Sequence, residues 1–219
     1  MGTTACIIQA RLGSTRLPAK VLLPLPTGRT VLEEVLWRCA HIPGVDVVVL
    51  AMPDTAENDI LVANGVKKQT SKDIPIVRGP EHDVLARYAK ATKEVGATSI
   101  MRITADCPLI DPQVCGEVLR QYQEQSADYA SNTIRRSWPE GYECQIVSRR
   151  LLLWAHANAS EPYDREHVLT FVERKAAPGF HQINVSTSPD RSHERYTLDT
   201  VADYVKIWNA MQEQMREAA

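Results

Sequence analysis

The sequence has no C-x-x-C pair, no G-x-x-x-x-G-K-[ST] segment and no G-x-G-x-x-G segment. Without the first, and with an odd set of cysteines (Cys6, Cys39, Cys107, Cys115, Cys144), neither a zinc site nor a disulfide framework is signalled. The five read as reduced, mostly buried residues of a cytoplasmic protein. Without the other two, a P-loop NTPase and a dinucleotide-binding dehydrogenase are disfavoured. No apolar run approaches the roughly 18 residues of a membrane span, and the N-terminus lacks the parts of a signal peptide. A dominant charge is missing as well: 25 basic side chains face 27 acidic ones. That balance argues against nucleic acid or an anionic membrane as the main partner, so any phosphate recognition must be local. No repeat, low-complexity tract or long linker interrupts the chain, and residues 1–219 are expected to form one domain with a full core.

What is present is concentrated at the beginning. ACIIQARLGSTRLPAKVL, residues 5–22, opens as an unbroken apolar run, Ala5 to Ala10, and continues into a basic loop. An apolar run of this kind suits a central parallel strand, which is buried on both faces. The loop then lies at the strand's carboxyl end, where ligands sit in open α/β sheets. Arg11, Gly13, Ser14, Arg16 and Lys20 offer fixed positive charge, a flexible backbone and a hydroxyl, which suit a nucleoside triphosphate. The same loop could equally be a solvated surface turn, so it needs support from the rest of the chain.

Apolar strand patterns alternate with helical ones along the first half. Thr30 and Glu33 read as a capping box for a helix to about Ala40. Asp46–Met52 is a second strand, and Asp54 or Thr55 caps a helix to Asn64 that Gly65 ends. Ile74–Val77 is a third strand, Asp83–Val95 a helix closed by Gly96, and Ser99–Thr104 a fourth strand. Asp111-Pro112 starts the next helix, since proline's missing N–H costs nothing there. This is a parallel sheet covered by helices. The second half is less regular: strands at Asp128–Ser131, Tyr142–Ser148 and His181–Thr187, helices at Arg149–Asn158, Asp164–Ala176 and Thr200–Glu217. The mixture suggests a parallel core with an inserted arm or hairpin able to mediate dimer contacts.

Asp106, in ITADCPLIDP, directly follows the fourth strand and so shares a rim with the basic loop. Asp111 fits better as a helix cap. In ERYTLDTVADY, Asp199 follows a short extended stretch and Asp203 comes one helical turn later. Asp106 could be a turn residue and Asp199 a cap. Two carboxylates facing a basic loop nevertheless suit Mg2+, which takes few protein oxygens and completes its shell with water and phosphates.

These residues carry a resemblance. QARLGSTRLPAKVL resembles the nucleotide-binding opening of bacterial CMP-sugar synthetases, and TADCPLIDP resembles the G-D-x-P-L-I segment of CMP-KDO synthetases. With RGPEHDVLARY, WPEGYE, EHVLTFV and RYTLDTVADY in order, the chain is similar to the spore coat polysaccharide biosynthesis group of cytidylyltransferases. The resemblance implies a three-layer, Rossmann-like α/β nucleotidyltransferase fold of the nucleotide-diphospho-sugar transferase type, with a mostly parallel central sheet and a small inserted arm. It also implies CMP transfer from CTP to a sugar or sugar acid, pyrophosphate release and Mg2+; the inserted arm leads to the expectation of a homodimer. Carried over by position, Arg11, Gly13, Ser14, Arg16 and Lys20 line the triphosphate, and Lys20 neutralises the departing pyrophosphate. Asp106 binds metal with Asp199 as the second carboxylate, and Lys20, Arg16 and Asp106 carry catalysis. Arg78 and Arg87 occupy the spacing of two arginines in the CMP-KDO synthetases' nucleotide and sugar-acid region, with Asp83 between them. Arg78 and Asp83 are taken as nucleotide contacts, and Arg87, Gln145, His167 and Arg195 as acceptor contacts. The residues alone leave other roles open: Arg87 in a helix could pair with Asp83 or Glu94, and His167 could be a capping or interface residue.

Two departures stand out. Ala19 occupies a position where the opening motif commonly has glycine, a small change if its φ is negative. Gln145 stands where P-x-G-x-x-x-E places an acid, which keeps the hydrogen-bonding shape but loses the charge. The segment marking the acceptor pocket of acylneuraminate synthetases is not recognisable. A nucleotide-sugar-dependent glycosyltransferase of the same fold ranks second, because three loop cations favour a triphosphate over a diphosphate. A nucleotide-binding subunit without turnover ranks third.

Overall fold

Ala5 to Ile8 are wholly buried because their strand has a helical layer on each side. A computed structural model describes residues 2–64, 73–175 and 179–217. Its elements are β1 (Thr4–Gln9), α1 (Val31–Ala40), β2 (Val47–Pro53), α2 (Asp59–Asn64), β3 (Ile76–Gly79), α3 (Val84–Glu94), β4 (Ser99–Thr104), α4 (Pro112–Glu124), β5 (Tyr129–Ser131), β6 (Gln145–Ser148), α5 (Arg149–Asn158), α6 (Pro162–His167), α7 (Thr170–Lys175), β7 (Gln182–Asn184) and α8 (Val201–Glu217).

The seven strands form one sheet in the order β3-β2-β1-β4-β6-β5-β7, and only β6 runs against the others. Alternation of side chains along β1 sends Cys6 and Ile8 towards Leu32, Leu36 and Val118, and Ala5 and Ile7 towards Leu85, Tyr88 and Leu151. The result is the expected three-layer α/β arrangement. Each large apolar side chain so buried contributes about 1.5–3 kcal/mol. Register does the rest: Gln9 of β1 pairs with Thr104 of β4, so residues after both strands emerge at one edge.

The helix starts at Thr30 and Asp111 carry the caps expected of them. Thr30 and Glu33 exchange both bonds of a capping box, and Asp111 accepts from Gln113 and Val114 behind Pro112. Elsewhere the boundaries move. β3 begins at Ile76 rather than Ile74, since Pro75 has no N–H to donate and only its carbonyl meets Leu50. Tyr142 to Cys144 leave the expected strand because the buried Asn132 amide bonds the Tyr142 carbonyl and the Cys144 N–H in place of a neighbouring strand. The helix expected over Asp164–Ala176 is two helices: Val168 sits at φ 66, ψ −58, with Leu169 N–H donating to the His167 carbonyl in a tight γ-turn. β7 is three residues long. Gly65 and Ala176 lie outside the described residues.

The β5–β6 connection, residues 132–144, forms the small arm and is laced to residues 191–196. Glu140 N–H donates to Glu194 and Tyr196 N–H to Glu140. Tyr142, Leu198, Ile207 and Met211 close a third apolar cluster that ties both segments to α8. Among the described residues no helix is long and apolar enough to cross a membrane, and all five cysteines are buried and unpaired.

Candidate active site

The loop after β1 is held from inside the protein. Leu12 N–H donates to Asn58 Oδ1 at 2.9 Å, and Asn58, fully buried in the short turn before α2, is itself fixed by Thr55. Ala19 N–H returns to the Leu12 carbonyl, closing the loop, and a single turn of 3-10 helix then begins at Lys20. Ala19 adopts φ 55, ψ 22, so the condition under which alanine would be harmless there is not met. The left-handed conformation costs an L-residue roughly 1–2 kcal/mol.

That closure drives the Lys20 side chain inward. Its Nζ lies 2.8 Å from Asp106 Oδ2, 2.9 Å from Asp199 Oδ1 and 2.6 Å from the Leu198 carbonyl, with 9% of the residue exposed. Asp106 arrives on the turn after β4. Asp199 arrives from the far end of the chain, because Leu198 N–H donates to the Asp106 carbonyl at 2.8 Å. Arg16 meets the same oxygen of Asp199 at 2.9 Å, and Arg195 meets the other oxygen at 2.6 Å. Burial lowers the Lys20 pKa, but Asp106 and then Asp199 outweigh it and the value is raised. Burial pushes the Asp106 carboxyl up, and the Lys20 charge and hydrogen bond bring it below its ordinary value. Burial, reinforced by Asp106, raises the neighbouring Cys107 thiol well above its ordinary value, which makes it a poor nucleophile.

These groups border an open cleft of about 280 Å³ whose wall includes Arg11, Gly13, Ser14, Arg16, Lys20, Arg87, Asp106, His167 and Asp199. All nine are among the residues expected from the sequence; Gln9, Thr104 and Glu166 also face the cleft and are not. Gln9 and Thr104 are the last residues of their strands and were legible as such; Glu166 is there only because α6 packs against α3. That contact is a clamp: Asp83 caps α3 through Ala86 N–H and forms an ion pair with Arg165.

The remaining candidates stand outside the cleft wall. Arg78 pairs with Asp59 at 2.6 Å beside β2. Arg195 is spread over Glu140, Asp203, Asp199 and the Thr197 carbonyl. Gln145 is buried in β6 on the α3–α7 side, accepting from Arg102 at 2.8 Å and donating to Tyr129 and Glu173, each at 2.9 Å. The carboxylate missing at 145 is thus present next to it, at 173. Arg87, within the wall, is 1% exposed and its guanidinium donates to the Pro80 and Glu81 carbonyls, so it supports the β3–α3 turn in place of an ion pair with Asp83 or Glu94.

Among the described residues no three His, Cys, Asp or Glu side chains converge as a metal cage. Two carboxylates do converge, and the Lys20 ammonium stands between their oxygens where a small cation fits. Such a pair matches Mg2+, which takes one or two carboxylates plus substrate phosphates.

The sequence model described as Cytidylyltransferase matches residues 5–218. The chain belongs to the cytidylyltransferase family. Within it, the chain is similar to the spore coat polysaccharide biosynthesis protein SpsF of Bacillus subtilis, at 32% identity over 208 residues, 92% of this chain and 83% of that one. It is 36% identical over 115 residues to a 3-deoxy-manno-octulosonate cytidylyltransferase of Maricaulis maris, covering 51% and 41% of the two chains. Its fold matches a cytidylyltransferase structure from Leptospira borgpetersenii with a TM-score of 0.89 at 28% identity, covering 97% and 88%. The resemblance read from the ordered motifs is borne out at the level of family and of fold.

Proposed function

We propose that this enzyme transfers CMP from CTP to a hydroxyl of a sugar or sugar acid used in surface polysaccharide synthesis. The observation that carries the proposal is Lys20 held between Asp106 and Asp199 at the mouth of a loop rich in cations. In the reaction the acceptor hydroxyl oxygen bonds to the α-phosphorus and loses its proton to solvent water in the open cleft, the bond from that phosphorus to the bridging oxygen breaks, and pyrophosphate leaves with the electron pair. Arg11, Arg16, Ser14 and the Gly13 backbone bind the triphosphate, and Lys20 offsets charge on the leaving group. Arg195 orients Asp199, with Asp203 and Glu140 holding the guanidinium in place. Asp106 and Asp199 would hold Mg2+, which when bound supplies charge neutralisation at the α-phosphate. Glu166, which pairs with Arg11 of the loop at 3.4 Å, and the adjacent His167 line the α6 side of the cleft and are the groups best sited to meet the acceptor. The base preference and the sugar-type acceptor rest on the relatives' names; the arm and α8 offer surfaces for a homodimer.

A thermal-shift screen of the four ribonucleoside triphosphates with Mg2+ tests the reading, because a ligand raises stability by RT ln(1 + [L]/Kd). CTP should give the largest shift, and pyrophosphate should appear once a competent sugar acid is added. Equal shifts with all four, or a preference for a nucleotide sugar, would replace CMP transfer with glycosyl transfer.

A further inference from the structure

The arrangement around Lys20 conflicts with the two tasks given to its neighbourhood. An ammonium has three N–H donors. All three have acceptors here: Asp106, Asp199 and the Leu198 carbonyl. None is left for a phosphate, and the ammonium occupies one oxygen of each carboxylate, Asp106 Oδ2 and Asp199 Oδ1. Asp199 is further saturated, with Arg16 on the Lys20-bound oxygen and Arg195 on the other. Two carboxylates facing Lys20 and Arg16 carry no net negative charge with which to attract a dication. Lys20 so placed competes with a divalent cation for Asp106 and Asp199 and has no donor to spare for pyrophosphate.

We infer that Lys20 is an internal plug: without nucleotide its ammonium holds the divalent cation's place between Asp106 and Asp199, and metal enters only as nucleotide arrives. The inference rests on the triphosphate and metal reading given above. The triphosphate brings several negative charges into the same cleft, and these draw Lys20 and Arg16 off the carboxylates. Arg16 is released readily, since its side chain is 65% exposed and such pairs are weak. Arg195 stays behind, because Glu140, Asp203 and the Thr197 carbonyl hold its other donors. Asp199 therefore keeps its position while its inner oxygen is freed. A lysine suits the task because its charge is compact and its stem flexible, so the same ammonium can serve the carboxylates first and a phosphate later.

The test is titration with Mn2+ alone, read by electron paramagnetic resonance of the free ion, on nucleotide-free protein. Lys20→Met should bind Mn2+ at least tenfold more tightly than the natural chain, and Lys20→Arg, which keeps the charge, should not. Circular dichroism verifies that each variant is folded. Equal Mn2+ affinity in the natural chain and Lys20→Met overturns the plug. A second arm adds a CTP analogue with a methylene between the α- and β-phosphates and measures water-proton relaxation by Mn2+. If the natural chain enhances relaxation and Asp106→Asn does not, the metal reading stands whatever becomes of the plug. If Mn2+ binds no variant with or without the analogue, both fall.

Discussion

The loop of residues 10–19 and the return segment of residues 185–199 meet at Lys20 and Asp199, yet they reach that point by different means. The loop follows from strand order: β1 lies at the middle of the sheet, and whatever follows Gln9 must lie at the rim beside whatever follows Thr104. The return segment belongs to no long strand. It is set by close backbone contact with the arm and by one arginine among three carboxylates. A rim position given by a sheet tolerates local change, because many ladder bonds share it. A position given by a few scattered contacts, the arm, the Leu198 bond to the Asp106 carbonyl and the Arg195 clamp, tolerates it less.

The largest expected effect is on chemistry where the two regions join. Asp106→Asn should lower turnover at least about a hundredfold, or roughly 3 kcal/mol of barrier, while the fold persists. Steady-state pyrophosphate release measures it, and near-normal turnover would remove Asp106 from the site. The same variant has a pH signature. Because the folded Asp106 pKa is depressed, its contribution to stability is present above the unfolded value of roughly 4 and is lost as pH falls through the lower folded value. Lys20, whose pKa is raised, contributes below roughly pH 10.4 and loses that contribution above it. The pair is therefore constant between about pH 5 and 9. Urea midpoints from pH 6 to pH 3 should fall less steeply in Asp106→Asn than in the natural chain.

Next comes the clamp. Gly141 has φ 102, and a Cβ there would lie 2.7 Å from the Tyr196 carbonyl carbon, so Gly141→Ala must push the arm away from the segment leading to Asp199. It should cost about 2 kcal/mol or more of stability and reduce turnover as well. Denaturant unfolding paired with activity checks this. Lost stability with unchanged turnover per folded molecule would show that the arm does not position Asp199.

The smallest effect belongs to the loop. Ala19→Gly relieves the left-handed strain but adds freedom to the unfolded chain, so the net gain should stay under about 1 kcal/mol. A lower melting temperature would mean that residue 19 does not hold the left-handed conformation of φ 55, ψ 22.

Much of the site was legible because it sits at strand ends. Arg16, Lys20 and Asp106 follow from the apolar run and the turn after β4, and the ordered motifs added the family. Asn58, Arg165 and Glu166 were not legible. Asn58 reads as a polar residue near a helix start, and only the packing of its turn beneath the loop turns its amide into the anchor of Leu12. The break at Val168 was equally hidden, since a buried valine carries no helix-stop signal. Gln145 looked like a lost charge until Glu173, 28 residues on, was found beside it.

The sequence by itself determined the α/β class, the rim on which the chemistry lies and the ion types that line it, because hydrophobic periodicity and turn residues act over short distances along the chain. Tertiary structure decided which partners those ions have. Lys20 joins Asp199 across 179 positions, and Arg195 serves the scaffold around Asp199 rather than the cleft wall. Such pairings depend on which backbone segments approach within a few ångströms, and no local pattern encodes that.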